Sequence, residues 1–179
     1  MKKHQYHFPI SSERLNYELL GDKDLKSWEA FFNNNPDLAN VGITQPESPE
    51  RESKKWIDRQ VKRYALWGVG ILGAYHKESG ELIGNCGLLV RENIMGEDVY
   101  EIGYSVVPTH WRKGYATEMA NCFREYFEKH QLGSKVISII AIENSGSQKV
   151  AEQNGMKRGP QFTFQGAECY QYFREYPDH

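Results

Sequence analysis

The chain has 179 residues with 39% hydrophobic and 26% charged side chains, the balance of one globular domain with a real core and a solvated surface. Its 4 Trp, 11 Tyr and 8 Phe exclude an intrinsically disordered chain. A net charge of -2 excludes a global positive field, so no direct nucleic-acid partner is expected.

Leu15, Tyr17 and Leu19 alternate with polar residues, the period of a half-buried strand. Gly21-Asp22 breaks it, and Asp22 or Asp24 is placed to cap a helix carrying Leu25, Trp28, Phe31 and Phe32 at helical spacing. Asn33-Asn-Asn-Pro36 ends that helix, and a turn-rich stretch leads to Ser48-Pro49-Glu50. There Ser caps and Pro takes the first helical position, where its missing N–H is not needed. This second helix is predicted to reach about Tyr64, with Trp56, Ile57, Val61 and Tyr64 on its buried side.

Residues 66–76, 82–91 and 99–107 read as three strands joined at Lys77–Gly80 and Asn93–Asp98, connections short enough for an antiparallel meander. From Lys113 the pattern turns helical, with Ala116, Met119, Ala120, Phe123, Phe127 and His130 on one face and Gly133 as a stop. Residues 136–142 read as a buried strand, Ser145–Asn154 as a short helix ended by Gly155, and 162–164 with 169–173 as a final strand pair. The order β-α-α-β-β-β-α-β-α-β-β, without linker or repeat, predicts one mixed α/β (α+β) domain over residues 1–179.

Cys86, Cys122 and Cys169 stand far apart and form no C-x-x-C, which points to a reducing compartment, the cytoplasm, rather than a disulfide framework. The N-terminus carries no apolar segment of a secretory signal, and no apolar run approaches the ~20 residues of a membrane span. Histidine spacing beyond His4-x-x-His7 shows no metal pattern and no H-E-x-x-H occurs, so no metal is expected.

Three segments invite a chemical reading. Gly68-Val-Gly70-Ile-Leu-Gly73 matches a dinucleotide fingerprint, which needs a helix opening within it. Lys77-Glu-Ser-Gly80 turns the chain four residues later and leaves no room for one, so glycines thinning a strand is the better reading. Pro108–Thr117 joins a strand to the long amphipathic helix. Such a loop offers unpaired N–H groups and the positive end of the helix dipole. Gly114 allows close backbone approach, while Arg112 and Lys113 add cations, together making a phosphate cradle. Thirty residues on, Asn144 and Ser147 stand where N-terminal caps stand.

Together these residues resemble the GNAT superfamily of acyl-CoA-dependent N-acetyltransferases. Its Q/R-x-x-G-x-G/A motif is met by Trp111-Arg-Lys-Gly114-Tyr-Ala116, with Trp at the first position. That departure is similar to the RimJ/RimL-type branch of ribosomal-protein N-terminal acetyltransferases, whose loops read W-G-x-G-Y-A-T-E. Trp111 and Gly114-Tyr-Ala-Thr-Glu118 match it, with Arg112 in place of Gly. Ser12-Glu-Arg-Leu15, Leu82–Leu88, Glu101–Tyr104 and Asn144-x-x-Ser147 through Gly155 extend the likeness over residues 12–173.

The resemblance implies a mostly antiparallel sheet whose central strands splay between flanking helices, and acetyl-CoA as co-substrate. Its pyrophosphate would rest on the loop Trp111, Arg112, Lys113, Gly114, Tyr115, Ala116 and Thr117. Its pantetheine arm would pair with Tyr104, Val106 and Val107 and be held by Asn144. A backbone N–H near Val106 would serve the oxyanion of a tetrahedral intermediate. Many GNAT enzymes carry a proton-donating Tyr seven residues after the Asn. Here that position is Ala151, which makes Ser147 the candidate donor or relay. Glu101 is the candidate general base, through water, and Glu143 a weaker rival.

The acceptor would be a primary amine: a protein N-terminus, or a small molecule such as a polyamine, amino acid or amino-containing antibiotic. An α-amine, with a pKa of about 8, demands less of a base than a lysine-type amine. The first two helices, the Asn33–Ser48 loop and the Phe162–Gly166 connection are where acceptor choice is expected to lie. Glu47, Glu50 and Glu52 suit a cationic acceptor or a plain helix start. Trp28, Phe31, Phe32 and Trp56 are core residues first by their spacing. A non-catalytic CoA-binding module is the competing function, and a nicotinamide oxidoreductase rests on the glycines alone. Relatives of this kind are often homodimers, and no residue here fixes an interface.

Overall fold

The computed structural model describes residues 4–177. Its strands are β1 (Ile10–Ser11), β2 (Leu15–Glu18), β3 (Ile71–His76), β4 (Leu82–Ile94), β5 (Glu97–Val106), β6 (Lys135–Ala141), β7 (Lys157–Phe164) and β8 (Ala167–Glu175). The α-helices are α1 (Leu25–Phe32), α2 (Pro49–Trp67), α3 (Tyr115–Lys129) and α4 (Ser145–Gln153). The strands form one sheet in the order β1-β2-β3-β4-β5-β6-β8-β7, antiparallel throughout except for β5 against β6. No helix of the described residues is long and apolar enough to cross a membrane.

The expected element order holds, with one addition. The two-residue β1, too short to show a period, pairs Ile10 with Tyr17 at the sheet's edge. The second helix outruns its predicted end near Tyr64 and stops at Trp67, where Gly68 takes φ 73° as C-cap. The strand expected from Leu66 therefore starts at Ile71. The run Tyr64–Trp67 suits either element by composition, and Leu66 is exposed, as is Val61, which was expected to be buried. The β4–β5 connection is also tighter than predicted. Met95 and Gly96 take φ 53° and 89°, and two positive φ values in a two-residue loop match the twist of a hairpin.

Helices cover both faces of the sheet, and each face has its own core. On one, α3 buries Met119, Ala120, Phe123, Tyr126 and Phe127 against Leu72, Ile83, Leu88 and Ile102. Each fully buried large side chain contributes roughly 1.5–3 kcal/mol. On the other, α1 and α2 pack Trp28, Phe31, Phe32, Trp56 and Ile57 with Leu20, Leu82 and Val107. Ser48 caps α2 through Arg51 N–H, with Pro49 at the first position, as the sequence indicates. Asp24 precedes α1, but its buried carboxylate accepts from Gly21 N–H (2.9 Å) and the Tyr75 hydroxyl (2.6 Å) rather than from α1's own amides.

One irregularity shapes everything that follows. The parallel strands β5 and β6 pair only at Tyr100–Val136 and Glu101–Ile137. Beyond them Ser138 Oγ reaches across to Ile102 O at 2.8 Å, and the strands then part, so the sheet is open between residues 102–106 and 138–141.

Candidate active site

The parting strands leave backbone polar groups facing a gap. Val107 N–H turns the other way, to Ile83 O of β4 at 2.9 Å, and successive residues of a strand alternate. Ile102, Tyr104 and Val106 therefore present their N–H and C=O groups toward β6 and the gap. Ile102 O accepting from Ser138 agrees with this parity. The indole N–H of Trp111 takes Val106 O at 2.7 Å, so Trp111 ties the loop to the end of β5 with its only polar atom. Val107, expected at the site, is 3% exposed and packs in the core under α1 and α2; the structure does not bring it to the gap.

Past the gap the chain enters the loop before α3. Arg112 takes φ 60° and Gly114 φ 81°, the latter at the N-cap position of α3. The first intrahelical bond of this turn runs from Glu118 N–H to Gly114 O, which leaves the N–H groups of Gly114, Tyr115, Ala116 and Thr117 without helical partners. Arg112 and Lys113 are exposed beside them. The hydroxyl of Thr117 is engaged elsewhere, on Gln153 of α4 at 2.9 Å.

A residue of the β1–β2 turn holds this loop in place. Arg14 donates to Lys113 O at 3.0 Å, and its guanidinium lies 4.1 Å from the centre of the Tyr115 ring. Glu118, in the first turn of α3, accepts from Arg14 N–H, Arg14 Nε–H and Ser12 Oγ–H, each at 2.7 Å. Burial would raise the Glu118 pKa, but these bonds outweigh it and hold the carboxyl below its ordinary range. No spacing argument reaches from residue 14 to residue 118; the Ser12–Leu15 likeness was the only signal.

On the far side, Asn144 Oδ1 caps α4 by accepting from Ser147 N–H at 3.0 Å. Its capping role is therefore real. Ser147 receives the cap through its backbone, and both residues line the cavity described next. Tyr104 spans the gap, donating its hydroxyl to Ser147 O at 3.0 Å, and burial pushes its pKa up. Ala151 is buried in the core, so no hydroxyl stands at that position. Glu143 is exposed and does not line the cavity.

A cavity of about 210 Å³ runs through the open part of the sheet. Tyr104, Ile140, Asn144 and Ser147 border it on one side, while Asn85, its cross-strand partner Ser105, Arg91 and Glu101 lie toward α2. Glu101 is 6% exposed and pairs with Arg91 of β4, which donates Nε–H to its carboxylate. A stripe of α2 at helical spacing, Trp56, Arg59, Gln60 and Arg63, completes that side. Ala39–Gly42 and the β7–β8 tip at Phe164 and Gln165 close over it, so both regions expected to govern acceptor choice do border the cavity.

Charge at the cavity favours the plain helix start of the two readings that Glu47, Glu50 and Glu52 allowed. Glu47 is paired with Arg51 and Lys55, and buried Glu52 accepts from Glu47 N–H at 3.0 Å. Neither, nor Glu50, lines the cavity, whose charged residues are Arg59, Arg63, Arg91 and Glu101. Of the aromatic residues, Trp56 reaches it while Trp28, Phe31 and Phe32 stay in the core. Sequence reasoning passed over Asn85, which sat in an otherwise apolar run; a buried amide there was the available signal.

The fingerprint glycines have a different use. Gly68 caps α2, and Gly73 lies in β3 with β4 following, so no helix opens there and the nicotinamide reading falls.

Comparison with known proteins agrees with this geometry. Residues 14–157 match the family model of the acetyltransferase (GNAT) domain. The chain belongs to the GNAT acetyltransferase family. The uncharacterized protein YkkB of Bacillus subtilis strain 168 is 30% identical over 148 residues, covering 82% of this chain and 84% of that protein. Among solved structures, an acetyltransferase from Agrobacterium tumefaciens strain C58 shares the fold with a TM-score of 0.77 at 21% identity, covering 98% and 99% of the two chains. RimL, a ribosomal L7/L12 α-N-protein acetyltransferase solved with coenzyme A, superposes with a TM-score of 0.72 at 13% identity, covering 93% and 96%. As a GNAT enzyme the chain is an acetyl-CoA-dependent N-acetyltransferase. The departing β5 and β6 are the splayed strands that the resemblance implied.

Proposed function

We propose that this GNAT enzyme transfers acetyl from acetyl-CoA directly to a primary amine, with the two substrates meeting in the β5–β6 gap from opposite faces of the sheet. The observation that carries the reading is the cavity itself, which joins gap-facing Tyr104, Asn144 and Ser147 to the Glu101–Arg91 pair without a break. The free N–H groups of Gly114–Thr117, with Arg112 and Lys113 beside them, fit a pyrophosphate. Tyr104 and Val106 offer an open strand edge for amide groups of a pantetheine arm. Acetyl-CoA supplies an activated acyl group; every other service belongs to the chain.

In this reading Val106 N–H is the donor for negative charge developing on the acetyl oxygen. Glu101, through water, takes the proton that the acceptor amine must lose. The leaving thiolate is protonated from Ser147 Oγ–H or from Tyr104, whose phenol burial keeps protonated at neutral pH. The ribosomal-protein branch is a matter of likeness at the Trp111–Glu118 loop, and a protein N-terminus is one acceptor consistent with it. A non-catalytic CoA-binding module is disfavoured because the buried Glu101 carboxylate and the hydroxyl-bearing Tyr104 and Ser147 border the same cavity.

Calorimetric titration with acetyl-CoA, with NADH as control, tests this assignment. Micromolar binding by the wild type, lost in Gly114→Glu, is the expected result, because the substitution puts a strained carboxylate where an anion is to sit. Undiminished acetyl-CoA binding by Gly114→Glu would move the pyrophosphate away from α3 and overturn the reading.

A further inference from the structure

The α2 side of the cavity carries more positive charge than a neutral amine needs. Three guanidinium groups, Arg59, Arg63 and Arg91, border it against the single carboxylate of Glu101. Arg91 is paired with that carboxylate and lies 5.2 Å from the centre of the Phe164 ring. Arg59 and Arg63 have no carboxylate partner among the described residues. Arg63 is nonetheless oriented, for it donates to Gln60 Oε1 at 3.1 Å, and buried Gln60 is itself fixed by Ile71 N–H and Trp56 O. Burial, with Arg91 and Arg59 nearby, pulls the Arg63 pKa down to about 10. That is still cationic at neutral pH, and it marks charges that repel one another.

A second observation is independent of charge. Asn85, 1% exposed in the middle of β4, has neither Oδ1 nor Nδ2 hydrogen-bonded, and the Trp56 indole N–H is likewise unpartnered. Both border the same cavity. Buried polar groups are ordinarily satisfied, so this wall is built for polar atoms that a bound molecule brings. The cavity is also small and roofed: a Cβ placed on Gly42 would lie 3.8 Å from Gln165 Oε1 of the opposing hairpin tip.

We infer that the acceptor is a small amine whose other end carries an anionic group, a carboxylate or a phosphate, held by Arg63 and Arg59 and hydrogen-bonded by Asn85 and Trp56. Planar guanidinium groups match both oxyanions with paired N–H donors. The amine end then falls to Glu101, the one acidic group of the lining. A polyamine would meet three like charges and is selected against. This inference rests on the acetyltransferase reading and names the substrate class of that same site.

The test measures CoA release by the full chain at saturating acetyl-CoA, with matched acceptors. Serine is compared with serinamide, β-alanine with propylamine, and O-phosphoethanolamine with ethanolamine; putrescine and a short acidic peptide complete the set. The anionic members of one class are expected to exceed their neutral partners about 10- to 100-fold in kcat/KM, and the carboxylate and phosphate arms tell the two sources apart. Arg63→Gln and Asn85→Ala should erase that ratio by raising KM for the anionic acceptors, with Arg63→Lys restoring part of it. Calorimetry on the CoA-bound protein should show the same preference without turnover. Equal use of neutral partners, preference for putrescine, acetylation of the peptide alone, or no anionic acceptor used while acetyl-CoA still binds would each overturn the inference. Failure of acetyl-CoA to bind would instead strike the acetyltransferase reading beneath it.

Discussion

Glu118→Gln is the sharpest probe of how the α3 loop is held. Glu118 accepts three bonds of 2.7 Å, from Ser12 Oγ, Arg14 N–H and Arg14 Nε–H, and is 13% exposed against 36% for Arg14. The amide keeps the shape but loses the charge, and its NH₂ faces hydrogen-bond donors. A bond to a charged group contributes about 1.5–3 kcal/mol, and the partly exposed Arg14 pairing is discounted to about 1 kcal/mol or less. A total loss of about 2–4 kcal/mol follows. For a chain of this size each kcal/mol shifts Tm by about 2–4 °C, so thermal melts should show a drop of about 5–15 °C at pH 7. The sign with pH is fixed. The folded-state pKa lies below the ordinary value of 4.5, so the contribution is complete above 4.5 and is lost as pH falls through the lowered pKa. The gap between wild type and variant should therefore close in acid. Acetyl-CoA affinity should fall as well, since Arg14 no longer steadies Lys113 O. A variant melting within about 1 °C of wild type, with unaltered acetyl-CoA affinity, would refute the stapling role.

Two further outcomes follow from the same structure. Tyr104→Phe removes the bond to Ser147 O, a loss of about 1 kcal/mol in stability; if the phenol protonates the thiolate, kcat falls at least about tenfold with the acetyl-CoA KM held, and an unchanged kcat in steady-state assays assigns the proton to Ser147. At the chain's start, His4 bonds the Tyr126 hydroxyl at 3.0 Å and stacks with His7, while the His130 ring centre is 4.2 Å from that of Tyr126. Burial first, then neighbouring histidines, lowers the pKa of both His4 and His130. Docking of this segment is thus complete above the ordinary 6.5 and weakens as pH falls below it, which hydrogen exchange at residues 4–8 should register between pH 7.5 and 5.5. Equal protection factors at both values, each referred to the intrinsic exchange rate at its pH, would contradict it.

Local pattern alone determined a good deal of this protein. Period two at Leu15 and Tyr17, the Ser48-Pro49 helix start and the apolar stripe of α3 are short-range signals, each fixed by neighbours within a turn or a pleat. The period fails at Leu19, which lies past β2 and is exposed, Leu20 being buried instead. The Trp111–Thr117 loop was legible for the same reason: its function is backbone geometry, and Gly114 announces it. Where the backbone could go two ways, as at Tyr64–Trp67, composition misplaced the boundary, and the positive φ of Gly68 decided it. Glu101 and Ser147 were named one at a time, but that they border a common cavity depends on β5 and β6 parting after two residue pairs. Arg14 with Glu118, and Arg63 with Arg91, Asn85 and Trp56, belong wholly to the tertiary structure. Their partners come from different strands and helices, and no period in the chain encodes a contact between elements. The charge of the acceptor side shows the point most plainly. The glutamates before and within α2 suited either a cation or a plain helix start in the sequence, and folding pairs Glu47 with its neighbours and buries Glu52. The same helix turns Arg59 and Arg63 to the cavity.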